Sequence, residues 1–101
     1  MATVTFREYA DLGVTYGKYI QAGMEPANAD QSVTTSGTSA QSAAFNAQTR
    51  MIMVSTPAAQ AVSLLFGDNP TAVIGGLRLP AANVFFFGVK PGQKVAFIDV
   101  A

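Results

Sequence analysis

The chain has 101 residues, half of them apolar and only 12% charged, with six basic and six acidic side chains and neither cysteine nor histidine. That length suits one domain. The composition excludes a disulfide framework, a thiolate metal site and a histidine general base. An ordinary soluble domain carries roughly a quarter charged residues, so a deficit this large predicts that part of the exterior is covered by other subunits.

The six basic residues, Arg7, Lys18, Arg50, Arg78, Lys90 and Lys94, are scattered. They form no stripe able to neutralise a phosphate backbone, so nucleic acid is not an expected partner. No apolar run is long enough to span a bilayer, and residues 1–8 lack the basic start and apolar stretch of a secretory signal. Residues 1–40 carry two basic against four acidic side chains, and residues 41–101 carry four basic against two acidic. Attraction between the acidic part of one subunit and the basic part of the next is one reading of this split. A chance imbalance is the other.

Residues 1–30 hold all three tyrosines and read as an N-terminal arm. Within it, Thr5-Phe6-Arg7-Glu8 fits a capping box, and Gly13 would stop the helix after two turns. A helix so short must pack on something to persist. Gly17, Gly23 and Pro26 punctuate the remainder, and Asn28-Ala29-Asp30 reads as loop. The Ser/Thr-rich residues 31–40 suit either a flexible linker or an edge strand, and the β-branched Val33, Thr34 and Thr35 favour the strand.

From residue 41 the pattern is β. Met51 to Val54 is a short apolar run, and Val62, Leu64 and Phe66 alternate onto one face. Thr56 and Pro57 could instead open a helix ending at Gly67, but the alternation favours a strand. Gly67-Asp68-Asn69-Pro70 is a turn. Leu77-Arg78-Leu79 is stopped by Pro80, and Val84 to Phe87 is apolar throughout. Lys90-Pro91-Gly92-Gln93 places proline and glycine where a type II turn needs them. The last strand runs from Lys94 to Val100. Short strands between regular turn signals predict a mostly β fold. The expected architecture is a small β-sandwich or jelly-roll-like barrel over residues 31–101, preceded by the 1–30 arm, in which a short helix is optional.

No catalytic constellation emerges. Lys90 and Lys94 flank a turn and read as solvated, and Glu8 with Asp11 reads as a solvated first helical turn. Asp68 is a single acid beside Asn69 and Pro70, too little for an oxygen-ligated metal. Gly75-Gly76 lacks both the spacing and the lysine of a phosphate loop. A non-enzyme without metal or cofactor is therefore expected. What remains is apolar surface that needs covering. Successive side chains of a strand face opposite ways, so Phe85-Phe86-Phe87 cannot place all three rings in one core. Phe85 and Phe87 are assigned to a partner or oligomer interface, together with Phe6, Tyr9, Tyr16, Tyr19 and Ile20 of the arm. Burial of both faces inside the chain's own fold is the rival.

Four stretches succeed one another along the C-terminal two-thirds: Val33-Thr34-Thr35-Ser36-Gly37-Thr38-Ser39-Ala40-Gln41-Ser42-Ala43, then Phe66-Gly67-Asp68-Asn69-Pro70-Thr71-Ala72, then Leu79-Pro80-Ala81-Ala82-Asn83, and then Val89-Lys90-Pro91-Gly92-Gln93-Lys94-Val95-Ala96. In that order they resemble the short virion structural proteins of tailed bacteriophages, in particular capsid decoration (cement) proteins; residues 1–30 carry none of the likeness. The resemblance implies a β-sandwich module on the virion surface with no catalytic residues. Its partners would be copies of itself, with a trimer suiting local threefold positions, and the major capsid protein or other virion proteins. A head–tail connector or tail-fibre component is the alternative within that class, and a carbohydrate- or host-surface-binding module the alternative outside it.

Overall fold

The computed structural model describes residues 2–15, 18–23 and 25–100. The fold is the expected mostly β sandwich of two antiparallel sheets, and its first strand, β1 (Ala2–Tyr9), occupies the stretch where a short helix is the option. Val4, Phe6 and Glu8 point to one side and are buried, while Thr3 and Thr5 on the other are exposed. That period of two, over a β-branched Thr-Val-Thr run, suits a pleated ladder better than a helical turn. The same Thr5-x-x-Glu8 spacing that fits a capping box therefore sits in a strand with neighbours on both sides.

Those neighbours are β4 (Ala29–Thr35), pairing Val4 with Val33, and β6 (Met51–Ser55), pairing Phe6 with Val54. Beyond β6 lies β9 (Val84–Gly88), which completes an antiparallel sheet in the order β4-β1-β6-β9. The second sheet runs β5 (Ala40–Gln41), β10 (Lys94–Val100), β7 (Ala61–Gly67), β8 (Leu77–Leu79). Residues 2–9 thus form a central strand, and the expected boundary between an arm and a domain at residue 30 is corrected. The sandwich begins at β1.

Projecting from the sandwich is the hairpin β2 (Leu12–Thr15) with β3 (Lys18–Gly23), in which Thr15 pairs with Lys18. It extends the β1–β4 pair, since β1 leads into it and β4 follows it. At 3.3 Å per residue, β1 and β3 would span roughly 26 and 20 Å, and the long axis of the molecule is 44 Å.

The core lies between the sheets. Val4, Phe6, Ile52 and Val54 from one meet Val62, Leu64, Val95 and Phe97 from the other. Phe45, from the loop joining β5 to β6, packs edge-on against Phe6 with centroids 5.9 Å apart. Glu8 is also buried, its carboxylate accepting from the Asn46 N–H (2.7 Å), the Thr49 hydroxyl (2.8 Å) and the Gln31 amide (2.8 Å). It pins the Phe45 loop to β1 and is not the solvated acid its neighbourhood suggested.

The segment 68–76 crosses the outer face of the second sheet as a strap. Gln41 donates to Asn69 and Pro70, the Ala72 N–H donates to Ser39, and the Ser63 hydroxyl donates to the Ile74 carbonyl. Ala72 packs there on Ala96 and Ile98. The described residues form strands and loops, and no helix among them is long and apolar enough to cross a membrane.

Candidate assembly surface

The two sheets sit with β4 beside β5 along one side and with β8 and β9 as the edges of the other. The first side is closed by chain crossing between sheets, with the Asp99 N–H donating to the Ser36 carbonyl at 2.8 Å. The second is open. Its groove is lined by Leu65 and Phe66 of β7, Val73 of the strap, Leu77 of β8, and Phe87 and Gly88 of β9. Among the described residues, the large apolar ones left exposed, Leu65, Val73, Ile74, Leu77, Val84 and Phe86, lie on β7, the strap, β8 and β9, the elements that border this opening.

Pairing with β6 decides which phenylalanines look outward. Phe85 lies opposite Val54 and Phe87 opposite Ile52, both core residues, so these two rings turn inward and pack on the core. Phe86 lies opposite Met53 and remains 45% exposed. The aromatic surface therefore falls on Phe86 with Val84, one pleat away from the expected Phe85 and Phe87. Phe87 still reaches the groove, at the end of a chain of ring contacts: Phe6–Phe45 at 5.9 Å, Phe45–Phe66 at 6.5 Å and Phe66–Phe87 at 5.4 Å.

Phe6 and Tyr9, also expected at a partner surface, are each only 2% exposed. Phe6 fills the core, and the Tyr9 ring lies directly on Gly23. Both are corrected to interior positions. Tyr16 lies outside the described residues, and so do the side chains of Tyr19 and Ile20. The sequence missed Phe86, Val84 and the strap residues Val73 and Ile74. The signal for the first two was the pairing phase of Met51-Ile52-Met53-Val54, in which the β-branched pair faces inward.

At the root of the hairpin is a polar cluster. Arg7 Nε donates to Asp30 at 2.7 Å, its Nη1 reaches Glu25 at 3.3 Å, and the Tyr9 hydroxyl donates to Glu25 at 2.7 Å. The Tyr9 hydrogen bond and then Arg7 hold the Glu25 carboxyl below its ordinary range. Burial, followed by the Glu25 carboxylate, pushes the Tyr9 phenol up, and Asp30 followed by Glu25 pushes the Arg7 guanidinium up. Two of the four acids of residues 1–40 thus pair with Arg7 inside the chain, and Glu8 is buried. Among the described residues no three acids converge as a metal site.

The chain matches no protein-family model, no curated protein and no solved structure.

Proposed function

We propose that this chain is a non-catalytic structural module that works within a larger assembly, most concretely as a decoration (cement) protein on the capsid of a tailed bacteriophage. The observation that carries the assembly reading is the open side of the sandwich. Among the described residues, six large apolar side chains stay about half exposed on the elements that border it, Leu65, Val73, Ile74 and Leu77 on the second sheet and its strap and Val84 and Phe86 on β9, in a chain with few charges to keep it apart from others. A surface of this kind is stabilised by being covered. The virion context rests on the order of the four C-terminal stretches described above.

A decoration protein has to bind a lattice of repeated sites without changing it chemically. A sandwich with an open edge bordered by apolar residues and a hairpin beyond its other end offers two separate attachment points for that task. Mixing the purified chain with capsids assembled from the major capsid protein alone should give saturable binding and a higher capsid melting temperature. No binding at high micromolar protein would remove the decoration reading. Density for the chain only at the portal vertex or in the tail of a virion reconstruction would replace it with the connector or tail assignment.

A further inference from the structure

The free edge of β9 is complementary to itself, and we infer that its occupant is the β9 strand of a second copy, joined antiparallel about a twofold axis through Phe86. This rests on the assembly reading above and specifies its partner.

The phase of the β6–β9 ladder fixes which backbone groups are available. The Thr56 N–H donates to Asn83 O, and the Val89 N–H donates to Arg50 O. Both pairs are in the same register as Met53 with Phe86. In an antiparallel ladder the hydrogen-bonded residues alternate. Asn83, Phe85, Phe87 and Val89 therefore turn their amides and carbonyls to β6, and Val84, Phe86 and Gly88 turn theirs to the open edge. Three consecutive outward residues give a strand three donors and three acceptors for a new neighbour.

An antiparallel strand meets an identical strand only about a twofold axis. Centred on Phe86, the pairing sets Phe86 against Phe86 and Val84 against Gly88 at either end, so all three outward residues on both copies are satisfied by six hydrogen bonds. Centring on Phe85 or Phe87 uses only two residues per copy and four bonds. The Phe86 register also puts the bulk of Val84 opposite a residue without a side chain. It sets Lys90 across from Ala82, so no like charges meet.

The side chains agree with that register. Directly opposed residues of an antiparallel pair share a face, so the two Phe86 rings lie side by side on the outer face, next to Met53. On the inner face, Phe85 of each copy meets Phe87 of the other. The row of rings from Phe6 through Phe45 and Phe66 to Phe87 would then continue into the second sandwich. All three phenylalanines of the run acquire an aromatic partner.

The opposite edge of the same sheet shows what an edge kept single looks like. Strand β4 carries the polar Asp30, Gln31, Ser32 and Thr34, and polar edge strands of that kind discourage pairing. Strand β9 has no charge, no proline and no bulge. The pairing covers the open backbone edge of β9 and the flanks of Val84 and Phe86 beside it. Pairing through β9 brings the two β8 edges together as well, closing the groove beside Leu77.

The test is molar mass by sedimentation of the full chain, alone and as variants. The wild type should sediment at twice the 10.5 kDa protomer mass. Phe86→Lys, which sets two like charges on the axis, and Val84→Pro, which removes an outward donor without touching the β6 ladder, should each reduce the mass to one protomer while circular dichroism keeps the β signal. The chain has no cysteine, so Phe86→Cys reports on the register directly. Hydrogen-bonded pairs put Cα atoms about 5.5 Å apart, within disulfide reach. Oxidation should link this variant quantitatively into dimers, and Thr34→Cys on the β4 edge should link poorly. A monomeric or trimeric wild type overturns the pairing, as does a Phe86→Cys chain that links no faster than Thr34→Cys. Capsid binding scored on the same samples separates the two claims. A monomer that binds saturably refutes the pairing alone, and a dimer that never binds refutes the decoration reading alone.

Discussion

Removing the Glu8 carboxylate should loosen the whole loop that carries Phe45 into the core. Glu8 is 1% exposed and accepts three hydrogen bonds from Asn46, Thr49 and Gln31. Glu8→Ala strands the Asn46 N–H and the Thr49 hydroxyl away from water, at about 1–2 kcal/mol each, and leaves a void worth about another 1 kcal/mol. The expected loss is about 3–5 kcal/mol, a large share of the roughly 5–15 kcal/mol that holds a domain together. At about 4–8 °C per kcal/mol for a domain of this size, the melting temperature falls by at least about 12 °C. Glu8→Gln is the milder test. It keeps an acceptor for Asn46 and Thr49 but turns an NH₂ toward the Gln31 amide, which cannot flip freely because its own oxygen accepts from the Ala43 N–H at 3.0 Å. About half the loss is expected. Urea titration at one fixed protomer concentration measures both, since association shifts apparent stability. Thr49→Val should then cost little in the Glu8→Ala background, because its hydroxyl has already lost its acceptor. A Glu8→Ala protein within about 1 kcal/mol of wild type would refute the view that this carboxylate anchors the loop.

Gly23→Ala would place a methyl group inside the Tyr9 ring, so Tyr9 must swing away and release Glu25; a loss of about 1–3 kcal/mol is expected from overpacking, read by the same titration. The Tyr9–Glu25 pair also shapes the pH dependence. Glu25 is held below its ordinary range, so its contribution is present above the unfolded-state value and is lost as acid titrates the folded carboxyl. Tyr9 is pushed above the ordinary 10.0, so its contribution is full below that value and declines as alkali titrates first the unfolded and then the folded phenol. Tyr9→Phe should flatten the alkaline limb in melts across pH, and an unchanged limb would assign it to other groups.

Local chemistry made the C-terminal half legible. Pro91-Gly92 forms the expected turn, with Gly92 at φ 80° and the Gln93 N–H donating to Lys90 O. The alternation of Val62, Leu64 and Phe66 proved stronger than the Thr56-Pro57 helix start, and β7 begins at Ala61. The Ser/Thr stretch became β4 because β1 lies beside it. What escaped was set by partners distant in sequence. Residues 1–9 look like an arm only while β4 and β6 are unknown, since Val4 and Phe6 become core residues by facing Val33 and Val54. Glu8 carries no mark of burial until Thr49, 41 positions away, supplies a hydroxyl.

The choice between Phe86 and its neighbours shows where a pattern of alternation stops being informative. Alternation said that the middle ring opposes the outer two, and only the ladder with β6 says which side is wet. The charge deficit gains a location in the same way. Arg7 is engaged with Asp30 and Glu25 at the hairpin root, and Glu8 lies under the Phe45 loop. None of the six acids falls on β7, β8 or β9. Among the described residues the exposed large apolar side chains lie on β7, the strap, β8 and β9, and two of them, Val84 and Phe86, sit on the strand that presents unpaired backbone groups. The exposed flanks of Val84 and Phe86 and the open hydrogen-bonding groups of β9 are satisfied together by another strand. Strand addition therefore accounts for both with one contact, and coverage by a flat apolar surface would leave the amides of Val84, Phe86 and Gly88 unpaired at a buried edge.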